Sequence, residues 1–246
     1  MKLVTFVMSQ FMYHDQNSVR SQLARELVSK AKSRECLVRI SDGTGGQFRR
    51  DIELRGANVS EQVQGMGPDR RRLMRLVYRN MEMRDVALWT EEKPSLIDDL
   101  ELIIGPIMMD QADLVIPART EEAWATHPPE QVLIEKFCNR AFKAFTNVEI
   151  DCWFGPFAAN AKALGHFIAR EEDGTDDKWM SIHGPRVDVI AAGLRVKSVP
   201  VPKYRYDARQ RAEEEGNTAL ILKRVEQANN LVPALYARAK ALGLVA

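Results

Sequence analysis

Bulk properties give this 246-residue chain few partners to choose from. It lacks charge of one sign: 35 basic residues stand against 34 acidic ones, for a net charge of +1. No strong field therefore draws it to nucleic acid or to an anionic membrane. Cysteine is scarce. Cys36, Cys138 and Cys152 are far apart, odd in number and without metal-ligand spacing, which argues against a disulfide framework or a zinc motif. No apolar run reaches the roughly 20 residues that span a bilayer, and repeats and low-complexity tracts are missing. The apolar start MKLVTFVMSQF turns polar too soon for a signal peptide. We expect a first buried strand there, reduced cysteines and a cytoplasmic location. Neither of the common nucleotide loops is present: SDGTGG, residues 41–46, fits neither a Walker loop nor GxGxxG.

What is present is 45% apolar residues, ample for a core, in a length that allows one large domain or two small ones. The apolar segments are short and continuous. Residues 3–8 (LVTFVM), 36–40 (CLVRI), 86–89 (VALW) and 112–116 (ADLVI) read as strands buried on both faces, as in a parallel sheet. Residues 58–63 add a further strand. Helical spacing runs over 16–31, with Val19, Leu23, Leu27 and Ala31 on one stripe. It recurs over 69–81, with Pro68 just ahead and Leu73, Leu76 and Val77 inward. Pro94-Ser95 opens another helix, with Ser95 and Asp98 placed as a capping-box variant. Its stripe is Leu96, Leu100, Ile103 and Ile104, and Gly105-Pro106 is expected to break or kink it. Strands alternating with helices predict an α/β sheet over 1–117. Beyond it come helices over 130–145, 158–170 and 178–192, an acidic loop EEDGTDD and a strand over 195–200. A long C-terminal helix over 218–242 closes the chain. Its stripe of Ile221, Val225, Ala228 and Val232 packs on its own domain or on a partner. No linker divides the halves.

In an open parallel sheet, ligands bind beyond the carboxyl ends of the strands. Three such ends are polar here: Ser41-Asp42-Gly43, Thr90-Glu91-Glu92 and Pro117-Ala118-Arg119. Asp42 suits ribose hydroxyls or base N–H groups, or else the turn that D-G and G-G favour. Glu91 and Glu92 offer hard oxygens to a divalent cation on a diphosphate, or form a solvated loop with Lys93 as ion partner. Arg70, Arg71 and Arg72 at a helix start suit phosphates, or a solvated basic face. His127 and His183 stand alone in sequence, where a structural or surface role is the plainer reading. Trp153-Phe154-Gly155-Pro156 reads as core or turn, with an aromatic able to stack on a sugar or base beside a site.

Taken in order, these segments resemble the nucleotide-sugar glycosyltransferases of the GT-A fold, most of all the family-2 and dolichyl-phosphate-mannose-synthase-like branch. Asp42 matches the Asp that ends the family's second strand at the nucleotide. QGMGPDRRRLMR, 64–75, resembles its Gly-rich basic stretch and brings Gly65, Arg70 and Arg72 to the donor. VALWTEEKPSLIDDL stands where the family carries its metal-binding DxD, and ADLVIPARTE is similar to its strand before a Ser-Arg pair, with Arg119 at the Arg. EKFCNRAFKAFTN matches a helix with Asn, at Asn139. DCWFGPFAANAKAL resembles the Asp and Gly-Phe segment through Asp151 and Gly155, and IAAGLRVKSVPVPKYRY its last helix and strand. The likeness spans almost the whole chain, but the motifs are loose and order carries the weight. Thr90-Glu91-Glu92 replaces DxD, and SQFMYHDQNS replaces the Asn-Glu that usually follows the first strand.

The resemblance implies a single GT-A-like (Rossmann-like) domain over 1–246, with a mostly parallel sheet, flanking helices and a long C-terminal helix. Residues 1–117 form its nucleotide-binding half and 118–246 its acceptor half. It implies transfer of a sugar from a nucleotide-diphosphate sugar to a small or lipid-linked acceptor. Asp42, Gly65, Arg70, Arg72, Thr90, Arg119, Gln210 and Arg211 would hold the donor, and Tyr206, Gln210 and Arg211 lie on a segment able to close as a lid. Glu91 and Glu92 would bind Mg²⁺ or Mn²⁺, or place the donor sugar directly. Asp151 is the candidate acceptor-orienting residue or general base, and His183 a second catalytic candidate. Base, sugar, acceptor, stereochemistry and oligomeric state stay open, a homo-oligomer among the options. Two rivals remain. One is a sugar-phosphate nucleotidyltransferase, against which stands the lack of Gly, Lys or Arg after the first strand until Arg20. The other is a GT-A-fold binding or assembly protein that has lost catalysis through its altered DxD.

Overall fold

Both faces of the first strand are covered, which is why its sequence runs apolar without alternation. In this strand, β1 (Thr5–Phe11), Val7 and Phe11 enter one buried cluster while Phe6 and Met8 enter another on the opposite face. The same split recurs in the strands of residues 86–89, 114–118 and 157–159. The structure is a computed structural model describing residues 4–13, 15–169 and 177–245.

The first half continues through α1 (Val19–Ser33), β2 (Leu37–Asp42), α2 (Gly46–Leu54), β3 (Asn58–Glu61), α3 (Met66–Tyr78) and β4 (Val86–Trp89). A 3₁₀ turn, Pro94–Asp99, leads into α4 (Leu100–Met108), then β5 (Leu114–Ala118), α5 (Glu121–Trp124) and α6 (Pro129–Thr146). A second 3₁₀ turn, Cys152–Phe154, precedes β6 (Phe157–Ala159), α7 (Ala161–Ala169), α8 (Asp177–Ala191), β7 (Val196–Pro200), α9 (Ala208–Glu214) and α10 (Thr218–Ala241). The seven strands pair in the order β3-β2-β1-β4-β6-β5-β7. All neighbours are parallel except β6, which runs antiparallel to β4 and β5. The expected mostly parallel sheet with flanking helices and a long last helix is therefore the architecture observed.

Several local expectations are corrected. The helix expected from 158 starts at Ala161, because Phe157–Ala159 is a sheet strand whose three residues are too few to show a period. Arg170 and residues 171–176 of the expected acidic loop lie outside the described residues. The expected capping box does not form: the Ser95 hydroxyl donates to the Arg205 carbonyl, and Asp98 takes the Lys30 ammonium. Helix α4 passes through Pro106, giving up one backbone donor there, and stops at Met108. Helices α2 and α9 were not foreseen. On α10 Ala228 and Val232 of the expected stripe pack on the chain's own core, beside the more deeply buried Leu231, Leu235 and Ala239, whereas Val225 is exposed. All three cysteines are free and buried. Burial pushes the thiols up to about 11 at Cys36 and Cys152 and about 12 at Cys138. Among the described residues no helix is long and apolar enough to cross a membrane.

Candidate active site

The chain order turns back at β1: β2 and β3 extend the sheet on one side and β4 on the other. Such a switch point leaves a crevice beyond the carboxyl ends of the strands. A cleft of about 380 Å³ lies there. Gln10, Met12 and Tyr13 from the end of β1 line it, with Trp89, Glu91, Glu92 and Lys93 from the end of β4 and Arg119 just past β5. Trp153, Phe154 and Gly155 wall it ahead of β6, and α8 adds Lys178 and His183. Tyr206 and Gln210 form the next wall, with Lys223 and Arg224 of α10 beyond them. A larger groove of about 730 Å³ beside α5 and α6 is lined mostly by apolar and aromatic residues and lies off the strand ends. The smaller cleft is the candidate site, because that is where the ionic groups converge.

Among the described lining residues seven are basic and three acidic, so the cleft is built for an anion. Partial burial, and then the charges of Arg20, Lys178 and Arg224, depress the Lys223 ammonium below its ordinary range. The floor carries Glu91 and Lys93 in direct side-chain contact. Burial alone would raise the Glu91 carboxyl, but Lys93 and then Arg70 and Arg20 hold it down at about 2. Glu92 has a different partner: it accepts a 2.7 Å bond from the Tyr13 hydroxyl. Thr90 is buried, its hydroxyl donating to the Met8 carbonyl at 3.3 Å.

The loop facing Glu91 is fixed from behind by an arginine that sequence reasoning missed. Arg186 on α8 is fully buried and donates to the carbonyls of Cys152 and Gly155. Gly155 sits at φ +95°, and a Cβ on it would lie 2.8 Å from Glu91 Oε1. A side chain there would collide with the carboxylate in a backbone region that favours glycine. His183 stacks on Trp153 with ring centroids 5.2 Å apart, and its Nδ1 lies 3.9 Å from Cys152 Sγ. Burial, then Arg186, push the imidazole well below its ordinary range, so it is neutral at neutral pH.

Other expected site residues are engaged as follows. Arg70 reaches the cleft, donating to Gln10 Oε1 at 3.2 Å and to Ser181 Oγ at 3.1 Å. Arg72 turns toward the β3 edge, onto the Glu61 carbonyl and, at 3.2 Å, Asp69 Oδ1. Gly65 is the N-cap of α3, at φ +88°. Asp42 accepts the amides of Thr44 at 2.9 Å and Gly45 at 3.0 Å, the turn geometry that D-G favours. Arg119 is clasped by Asp151 and by Glu135 at 2.5 Å, and Asn139 donates to the same Asp151 carboxylate at 2.7 Å. Gln210 reaches Glu214, while Arg211 pairs with Glu215 on the larger groove. Glu214 is itself a buried hub, receiving Arg20, Tyr206, Gln210 and Arg224. It ties α9 to α1 and α10 and makes the expected lid segment a wall of the cleft. His127 takes the structural role its lone place in sequence suggested: it is buried between Trp124, Tyr204 and Tyr206, with burial and then Arg119 pushing it down to about 2.

A divalent ion on a diphosphate needs hard oxygen ligands from the chain. Among the described residues no group of three or more His, Cys, Asp or Glu could hold one. Two carboxylates plus substrate phosphates would suffice in principle, but Glu91 already touches an ammonium, and an ion placed on it would press against that charge. As folded, the pair does not fit a metal.

No protein-family model matches the chain, and comparison of its sequence with characterised proteins finds no significant match. Solved structures are similar in fold. One is glucosyl-3-phosphoglycerate synthase from Mycobacterium tuberculosis with Mn²⁺, UDP-glucose and phosphoglyceric acid, at TM-score 0.62 and 10% identity over 97% of this chain and 80% of that one. Mannosyl-3-phosphoglycerate synthase from Rubrobacter xylanophilus matches at TM-score 0.63 and 10% identity, over 99% and 76%. A 4-diphosphocytidyl-2C-methyl-D-erythritol synthase matches at 0.50 and 11% identity, over 92% and 98%. At these identities the likeness establishes the fold. Its first two examples are GT-A glycosyltransferases.

Proposed function

We propose that the chain is a glycosyltransferase that uses a nucleotide-diphosphate sugar. The observation that carries this reading is a basic cleft at the switch point of a GT-A sheet, floored by Glu91, Glu92 and Lys93. The cleft's cations, Arg70 and Arg20 among them, take the diphosphate and stabilise the charge that develops on it as it leaves. Glu91 and Glu92, acceptors for hydroxyl protons, place the donor sugar directly. Asp42 holds the nucleoside end through the turn it caps. Asp151 fixes Arg119 at the cleft wall, and neutral His183 on Trp153 faces the acceptor side. The acceptor is small or lipid-linked.

The test is product analysis. The chain is incubated with a panel of nucleotide-diphosphate sugars and pooled acceptors, with release of nucleoside diphosphate as the readout. Release that depends on acceptor supports transfer. The nucleotidyltransferase reading has its own support in the similar fold of the cytidylyl-erythritol synthase. Pyrophosphate released from a nucleoside triphosphate plus a sugar phosphate would favour it instead. Binding of a nucleotide sugar without turnover would favour the non-catalytic reading.

A further inference from the structure

Lys93 lies two residues past Glu91, at the end of β4, where the sheet faces the cleft. Its side chain is 15% exposed and its Glu91 partner 40%, so the pair is open to a ligand rather than sealed in the core. The Lys93 amide donates to the Glu91 carbonyl at 2.7 Å, a tight turn that returns the side chain onto its partner. The ammonium also stands 5.7 Å from the centre of the Phe154 ring, whose face attracts a cation and whose apolar surface strengthens the pull between that cation and an anion. Arg20 and Arg70 lie near enough to act on the same carboxylate. Glu91 therefore already has its counter-charge from the chain itself, and a divalent ion would have to displace it.

Resting on the glycosyltransferase reading, we propose that Lys93 is the resident cation of the donor site. Its ammonium swings from Glu91 to the diphosphate of the bound nucleotide, and that binding needs no divalent metal. An ammonium with three donors on a four-carbon stem can exchange one anionic oxygen for another without moving the backbone. When it leaves, Glu91 is free to accept a sugar hydroxyl.

Calorimetric titration tests this with UDP, GDP, ADP and CDP, each in excess Mn²⁺ and then in excess EDTA. One nucleotide is expected to bind with affinity unchanged within about twofold between the two conditions, and Lys93→Ala to weaken it at least about tenfold in EDTA. Lys93→Arg should retain most of the affinity. Glu91→Gln, which releases the ammonium, should leave binding in EDTA as tight or tighter, a result that holds even if Lys93→Ala does not fold. Binding that appears only with Mn²⁺, or a Glu91→Gln variant that loses it, overturns the lysine's role and leaves the transferase reading standing. No binding of any nucleotide in either condition overturns both.

Discussion

Arg119 and Asp151 meet in two side-chain bonds of 2.7 Å, one from Nε to Oδ2 and one from Nη2 to Oδ1. The Arg119 amide adds a third bond to Oδ2 at 3.1 Å. Both residues are buried, and the guanidinium lies 3.6 Å from the centre of the Trp124 ring. Without Asp151 the guanidinium keeps Glu135 but loses the partner of its Nε, its second Nη and its amide, so Asp151→Ala should destabilise the chain by roughly 1–3 kcal/mol. Urea unfolding measures this. Lost turnover with an unchanged unfolding midpoint would instead make Asp151 a general base at the acceptor.

The Glu214 hub predicts a pH dependence. Burial alone would raise its carboxyl, but the Tyr206 hydroxyl and Arg20 outweigh it and bring the group from 4.5 to about 2. A carboxyl held down in the folded chain contributes stability that is complete above the unfolded value. That contribution drains as the pH falls through the window from 4.5 to about 2. It should amount to on the order of 2–3 kcal/mol. Acid unfolding of Glu214→Gln should be flatter in that window than that of the parent chain. Equal slopes would remove the hub from the account.

Gly155→Ala should cost about 1–3 kcal/mol in backbone strain. It should also move the Glu91 carboxylate, which a Cβ at 155 would approach to 2.8 Å. Thermal unfolding reads the first effect, and nucleotide titration of the folded variant reads the second. A variant that binds and unfolds like the parent would show that this loop tolerates what its geometry forbids.

His183 should not titrate across the range from about pH 6 to 8 where histidine ordinarily does. Its neutral form is favoured by burial and by Arg186. Proton NMR of its ring, assigned with His183→Gln, gives the answer. A midpoint within that range would restore it as a proton-transfer group.

The sheet was legible in the sequence because strands buried on two faces leave continuous apolar runs, and VALW or ADLVI cannot be mistaken for an amphipathic surface. Strand β6 was not, because a three-residue antiparallel insertion takes its place from β4 and β5 rather than from any period of its own. That Glu91 and Glu92 would line the crevice was legible from their place after a strand. That Glu91 is already matched by Lys93 was visible only as one of two options, since spacing cannot say which way a side chain turns. Arg186 was out of reach: it is buried by elements far away in sequence, and the contact that gives it meaning exists only in three dimensions. His127 was legible as a structural histidine, but its aromatic neighbours were not.

The account stands on the cleft at the β1–β4 switch point as the donor site. A crystal structure of the chain soaked with the nucleotide-diphosphate sugar that binds it addresses this directly. We predict the diphosphate against Lys93 and Arg70, with the sugar at Glu91 and Glu92. A ligand seated in the groove beside α6, or one whose phosphates touch neither Lys93 nor Arg70, would contradict it.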